Sequence, residues 1–463
     1  MLMRGRKMLG GVLGPKGPLS VFHDYPLLLR FAAISVCAEI AWATLIIVLQ
    51  YHFQEDLFVH GETKQFIASK IATVTLAFVG CEMLFKVPMG SLSDRYGPKP
   101  LIFFALGLAT VSPLLMILAT QWYQFIPMRM MDGLAAAALW PAMSSLMARS
   151  VPREAKAAAM SVFNGAYCLG LAIGPITGLL VAHQFGNRSV FPLCALLLLL
   201  GLFLAYTFLH GDIGLRAQPT NSEEHGVNTR VLKGRPLLVR MMVIYALSQA
   251  AVGMFINVAV PYIKDQFGIT EGDLPRAIVV PALFVAFLAL PLGRMADKIG
   301  RPKAIWISYV LAAFGMTFIA ATSLFEPDMR AVSPSISLFA VGMLLMIASY
   351  ILGTPAWLGL TSLQVDETKQ GKALSLMQTA QGLGIVLASI LVASAGHFLS
   401  TWKVTRGRIT EDAIPINMWL WLAAGIFFLC FIGTLLYVRE PDHTESAEEE
   451  ADAAKQSLEI SGV

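Results

Sequence analysis

The chain has 463 residues, 56% of them hydrophobic and 14% charged, against roughly 25% charged in soluble globular domains. That deficit points to lipid as the solvent. The net charge of +4 is small, and the Lys and Arg fall in short inter-helix stretches rather than one patch, so it gives no sign of a nucleic-acid partner.

Residues 1–26 are basic but lack an uninterrupted apolar run before Pro15. They read as a cytoplasmic arm rather than a cleaved signal. Beyond them, apolar segments of about 20 residues recur, as a bilayer crossing requires. Ile102–Thr120, Val190–Phe208 and Ala277–Leu292 contain no Asp, Glu, Lys or Arg. Hydropathy with Pro, Gly and charge punctuation predicts twelve helices, at 27–51, 66–91, 101–120, 123–148, 157–182, 190–209, 237–261, 277–297, 304–324, 335–362, 371–396 and 416–438. Residues 210–236 form the longest polar interior stretch and read as a cytoplasmic linker. They divide the chain into a bundle over 27–209 and a second over 237–438. The tail, 439–463, is acidic and poor in apolar residues, so it reads as solvated. With both termini inside, the inner stretches carry 21 Lys and Arg and the outer ones 8, which supports that orientation. The five cysteines lie in apolar segments and read as small buried residues rather than a disulfide framework.

One charged cluster recurs. GSLSDRYGPK at 90–99 is echoed by GRMADKIGRPK at 293–303. Gly90 and Gly293, Asp94 and Asp297, and Gly97 and Gly300 are each separated by 203 residues, as are Pro88 and Pro291. The same local structure is thus expected once per half. A fainter echo relates 151–161 to 365–375.

Gly90, Leu92, Asp94, Arg95, Gly97 and Lys99 resemble the loop signature of the major facilitator superfamily of transporters, with Pro98 in place of a basic residue. The fourth segment holds RMMDGLAAA, similar to a family pattern through Arg129 and Gly133, with Asp132 where glutamine is usual. The fifth holds GLAIGPITG, similar to the family's antiporter signature through Gly170, Gly174, Pro175 and Gly178, with Leu179 replacing a glycine. The resemblance implies an all-α integral membrane protein of twelve transmembrane helices in two six-helix bundles, resembling the drug/proton antiporter branch and exporting its substrate in exchange for protons.

The residues themselves add chemistry. Charges inside a membrane cost about 2.5–3.5 kcal/mol each on insertion scales and persist where they face protein or water. Glu39 lies about 18 Å into the first helix at 1.5 Å per residue, with no basic residue within a turn. It suits a group that takes up and releases protons; the plainer readings are a permanently protonated Glu or one paired with a residue of another helix. Arg129 and Asp132 are spaced to form an ion pair, as are Glu82 and Lys86. By the family pattern Arg129 reaches the central cavity and influences nearby acids; both pairs are also open to a structural reading. Gly170, Gly174 and Gly178 share one helical face and permit a close helix approach, while Pro175 would bend the helix. Gly90 reads as a close-approach position and Gly97 as a tight turn; Arg95, Lys99 and Arg301 hold the loops inside. The second half offers Gln249, Asn257, Tyr350, Trp357, Gln378 and Gln381 amid Phe and Met, a lining for an amphipathic substrate, though each alone reads first as a packing or interhelical hydrogen-bonding residue.

The sequence contains no phosphate loop, no metal-ligand spacing and no catalytic triad, so no cofactor, no metal and no enzymatic activity are expected. The expected partners are a small-molecule substrate, protons and membrane lipids, with the chain acting as a monomer in the cell membrane. Uptake of a metabolite, lipid movement, or a non-transporting receptor on the same fold are the alternatives.

Overall fold

A computed structural model describes residues 25–58, 64–151, 156–209, 236–268, 299–325, 334–364, 370–406 and 416–438. These contain eleven α-helices: α1 (Pro26–His52), α2 (Lys64–Tyr96), α3 (Pro98–Met116), α4 (Phe125–Arg149), α5 (Lys156–Phe185), α6 (Val190–Phe208), α7 (Pro236–Phe267), α8 (Arg301–Ala321), α9 (Pro334–Leu363), α10 (Gln370–Arg406) and α11 (Asn417–Tyr437). The segment expected at 277–297, with Gly293 and Asp297, lies outside the described residues, as do the terminal arm, the linker and the tail. Ten of the helices are long and apolar enough to cross a membrane. Large apolar side chains such as Phe203, Leu429 and Leu118 are exposed on the outside, as lipid-facing surfaces require.

The chain runs up and down. We call the face where α1 and α7 begin the terminal face, and the opposite one the distal face. Helices α1–α6 enclose one apolar core around Phe31, Ile34, Leu45, Leu106 and Leu139. Helices α7–α11 enclose a second, around Met254, Tyr309, Met316, Trp357 and Leu420. The halves meet from the distal face down to mid-depth, where Met83 of α2 lies against Gly382 of α10. Toward the distal face Val260, Ile263 and Phe267 of α7 join the first core, and Ala68 and Ala72 of α2 join the second.

Helix ends depart from expectation where punctuation carries too much weight. Helix α2, predicted to stop at 91, runs through the charged motif to Tyr96. Arg95 in its last turn suits the negative end of the helix dipole, and nothing breaks the helix until Gly97, at φ 86°. Pro98 then opens α3, a position where its missing N–H costs nothing. Gly300, at φ 94°, opens α8 in the same way, so the 203-residue repeat is a repeat of backbone geometry. Gly90 plays a different part from the expected one: a methyl group there would find only Pro141 Cβ, at 4.0 Å, an ordinary contact. Likewise Pro261 lies inside α7 without ending it, because a neighbour-packed membrane helix tolerates one lost hydrogen bond.

Candidate functional site

The fifth-segment glycines clamp α5 onto α1. A methyl group on Gly170 would lie 2.5 Å from Glu39 Cβ, on Gly174 2.7 Å from Ala43 Cβ, and on Gly178 2.5 Å from Thr44 Cγ2. Thr44 Oγ1 donates to the Gly174 carbonyl at 2.6 Å, fastening the seam with a hydrogen bond. Only glycine admits this approach, so the stripe fixes where Glu39 sits: at mid-depth, 4% exposed. Pro175 lies within α5 beside the seam.

Around Glu39 the fold gathers groups from three other helices. Glu82 of α2, Tyr167 and Cys168 of α5, and Tyr350 of α9 are all within electrostatic reach of Glu39. Tyr350 in turn reaches Tyr245 of α7, so the cluster bridges both bundles. Tyr350 is 39% exposed although it lies at mid-depth beside a buried carboxylate, the signature of an interior cavity wall. Cys168 is exposed too and Cys37 half-buried, which corrects the expectation that all five cysteines are buried. Trp42, one turn beyond Glu39, stacks edge-on with Trp140 at 5.6 Å, and Trp140 with Tyr167 at 5.5 Å. These rings wall the site with aromatic surface.

Glu82 is held by Lys86, whose Nζ donates to Oε1 at 3.0 Å, with both side chains partly exposed. The second pair is buried: Arg129 Nη1 donates to Asp132 Oδ2 at 2.9 Å, and the guanidinium lies 4.2 Å from the centre of the Phe78 ring, a cation–π contact. Gly133 makes this possible, since a methyl there would overlap the Phe78 carbonyl oxygen. Among the described residues neither Asp132 Oδ1 nor Trp42 Nε1 meets a partner at full hydrogen-bond geometry, although Trp42 and Ser112 lie beside the carboxylate. The Arg129–Asp132 pair thus sits toward the distal face, separated from Glu39 by Trp42.

Of the candidates in the second half, Asn257 donates to the Gly253 carbonyl at 2.9 Å and to Ser389 Oγ at 3.1 Å, tying α7 to α10. Trp357 Nε1 donates to Tyr309 Oη at 2.9 Å inside the core. Gln249 is buried where α10 passes close at Gly384. Tyr350 and Gln378 are exposed and Gln381 is half-buried. Arg301 reaches from α8 to α9, donating to the Gly359 carbonyl at 3.1 Å. Arg95 and Lys99 flank the Gly97 turn, where the Arg95 guanidinium lies 5.3 Å from the Tyr96 ring centre. Tyr167, Cys168 and Tyr245 escaped the sequence reading; the available signal was that Tyr167 lies one turn before Gly170 on the seam.

Two helix bundles with repeated turn geometry, lipid-facing outside and joined around a mid-depth polar cluster, define a multi-pass membrane carrier. The chain belongs to the major facilitator superfamily, whose family model matches residues 31–258 and again 241–460. The family is one of transporters, not enzymes. An uncharacterized MFS-type transporter of Methanocaldococcus jannaschii is 24% identical over 328 residues, covering 69% of this chain and 80% of that one. The multidrug resistance protein MdtG of Salmonella typhimurium is 25% identical over 341 residues, covering 70% and 79%. Among solved structures, a D-xylose–proton symporter superposes with a TM-score of 0.69 at 17% identity, covering 90% of this chain and 98% of its own. The nucleoside transporter NupG, solved as a point mutant, gives 0.69 at 11%, covering 89% and 100%. At these identities the structural likeness concerns the fold alone.

Proposed function

We propose that this transporter exports a small amphipathic or hydrophobic compound in exchange for protons, its bundles rocking about the mid-depth cluster. The observation that carries the reading is Glu39, a carboxylate buried at the seam of α1 and α5 and within reach of Tyr350 from the opposite bundle. A charge is costly there, so binding a proton and binding substrate both change the same local balance, and each bundle senses the result. Glu39 is the principal protonation site. Arg129 and Asp132 tune it from the distal side through Trp42, while the Glu82–Lys86 pair sets the charge of its nearest acidic neighbour. The antiporter-like glycine run on α5, and relatives named for multidrug resistance, support export over uptake. The apolar and aromatic surroundings favour an amphipathic cargo. The protein works as a monomer in the plasma membrane, with the terminal face toward the cytoplasm as the Lys and Arg distribution indicates.

A thermal-shift screen of the purified protein against a compound library identifies a ligand. Proteoliposomes bearing an imposed proton gradient then measure its flux. Glu39→Gln is expected to abolish gradient-driven accumulation while retaining exchange without a gradient. Normal accumulation by this variant would overturn the assignment, and accumulation along the proton flow would replace export by symport.

A further inference from the structure

Helix α1 leaves α-geometry where the two bundles touch. Residues Phe53–Leu57 form a π-turn, closed by the Phe58 N–H donating to the Phe53 carbonyl at 3.0 Å. Such turns carry one extra residue and often mark functional positions. Here the turn sends two adjacent carboxylates to different partners. Asp56 reaches back to His52 Nδ1 at 2.5 Å. Glu55 reaches across to Lys264 Nζ of α7 at 2.8 Å.

His52 makes the first arrangement rigid. It is fully buried, with its ring edge-on to Phe125 of α4 at 5.7 Å and to Phe191 of α6 at 5.4 Å. The π-turn is therefore mounted on the first bundle, and Glu55 is the carboxylate left to meet the second. A further contact between the same helices lies just below, where Gln50 Nε2 donates to the Ile256 carbonyl at 3.2 Å. Both contacts fall at the distal end of α1 and its π-turn and in the distal half of α7. Beneath them lies the mid-depth cluster with its exposed Tyr350 and Cys168.

We propose that Glu55 and Lys264 form a latch that holds the distal mouth of the central cavity shut, with the His52-anchored π-turn as its mount. The inference rests on the alternating-access part of the reading above but requires neither export nor protons. The physical strength of the pair suits the task. Its side chains are 24% and 36% exposed, and partly solvated ion pairs contribute modestly. A latch of this strength biases the closed state without trapping the protein in it, whereas a dry pair would resist every cycle. The other charged group acting on His52 is Arg188, from the turn before α6. It belongs to the same bundle as His52 and so takes no part in the contact across the gap.

Cys168 serves as an accessibility reporter that needs no substrate. Membrane vesicles of each sidedness are treated with a membrane-impermeant maleimide, in a Cys37→Ala background, with Cys168→Ala defining the residual labelling. Labelling of Cys168 from the distal side follows the population of the distally open state. Glu55→Gln and Lys264→Gln are each expected to raise that rate about 2- to 5-fold, and the charge exchange E55K/K264E to return it to the wild-type value. Unchanged distal rates in both single variants, or an exchange variant labelled faster than either, would overturn the latch. If Glu55→Gln does not fold, Lys264→Gln gives the same readout from the other bundle. Loss of proton-driven flux in the unmodified protein would remove the export reading and leave this test standing.

Discussion

Replacing Gly174 with alanine puts a methyl carbon 2.7 Å from Ala43 Cβ, 2.7 Å from the Ile40 carbonyl oxygen and 3.0 Å from Thr44 N. Carbon atoms rest at about 3.5 Å or more, so α1 and α5 must part by roughly 0.8 Å. The same movement stretches the Thr44 Oγ1 to Gly174 O bond from 2.6 Å to about 3.4 Å, near the limit of a useful hydrogen bond. Over-packing costs about 1–3 kcal/mol, and a weakened interhelical hydrogen bond adds roughly 0.6 kcal/mol. Alanine returns up to about 1 kcal/mol through its better helix propensity. The net loss is about 1–3 kcal/mol, read as an unfolding temperature lowered by several degrees in detergent. Gly107→Ala is the matched control, because among the described residues no atom lies within 4 Å of a methyl placed there; it should leave the unfolding temperature unchanged or raise it. Equal behaviour of the two variants would refute the view that the seam, rather than glycine's flexibility, is what position 174 supplies.

Three further outcomes follow from the geometry. Gly97→Ala forces an alanine into φ 86° and ψ 159°, an extended region open essentially to glycine alone, at a strain of about 1–3 kcal/mol; Gly300→Ala should lose a similar amount, and thermal unfolding of the two variants tests whether the turns are equivalent. Asp132→Asn leaves the Arg129 guanidinium buried without its counter-charge, and breaking a buried pair costs about 3–5 kcal/mol. The double variant R129Q/D132N should recover most of this in the same melt, and a double no more stable than the single would rule out pairing as the cause. Asp94→Asn is expected to slow turnover several-fold with ligand affinity nearly unchanged. Comparing flux with thermal-shift titration checks this, and a large loss of affinity at normal turnover would show that the motif is not a conformational element.

Much of the architecture was legible because membrane-spanning segments advertise themselves by length and lack of charge, and because Gly97 and Gly300 stand in register. Helix ends were less so. The run from Ser91 to Tyr96 looks like a loop by polarity, yet polarity does not break a helix; a residue at positive φ does, and that residue is Gly97. The seam of Gly170, Gly174 and Gly178 was readable from spacing, but its partner was not, since spacing names a face and says nothing of what covers it. For the same reason Glu39 stood out as a buried charge while its company of Glu82, Tyr167 and Tyr350 did not. Those contacts depend on how four helices are rotated about their own axes. The tight approaches of Gly133 to Phe78 and Gly384 to Ala246 carry no spacing signal, because each is a single notch.

The clamp of α5 on α1 bears on how such a carrier can change its cargo. Glu39 is placed by main-chain proximity along a glycine seam, whereas Tyr167, Cys168 and Tyr350 are side chains on a cavity wall. Residues of the second kind can be exchanged one at a time without shifting the first. The protein therefore separates a part set by its backbone, the depth of its carboxylate, from a part set by side chains, the shape around it. New specificity in this lineage is expected to arise by resurfacing that wall while the seam stays fixed.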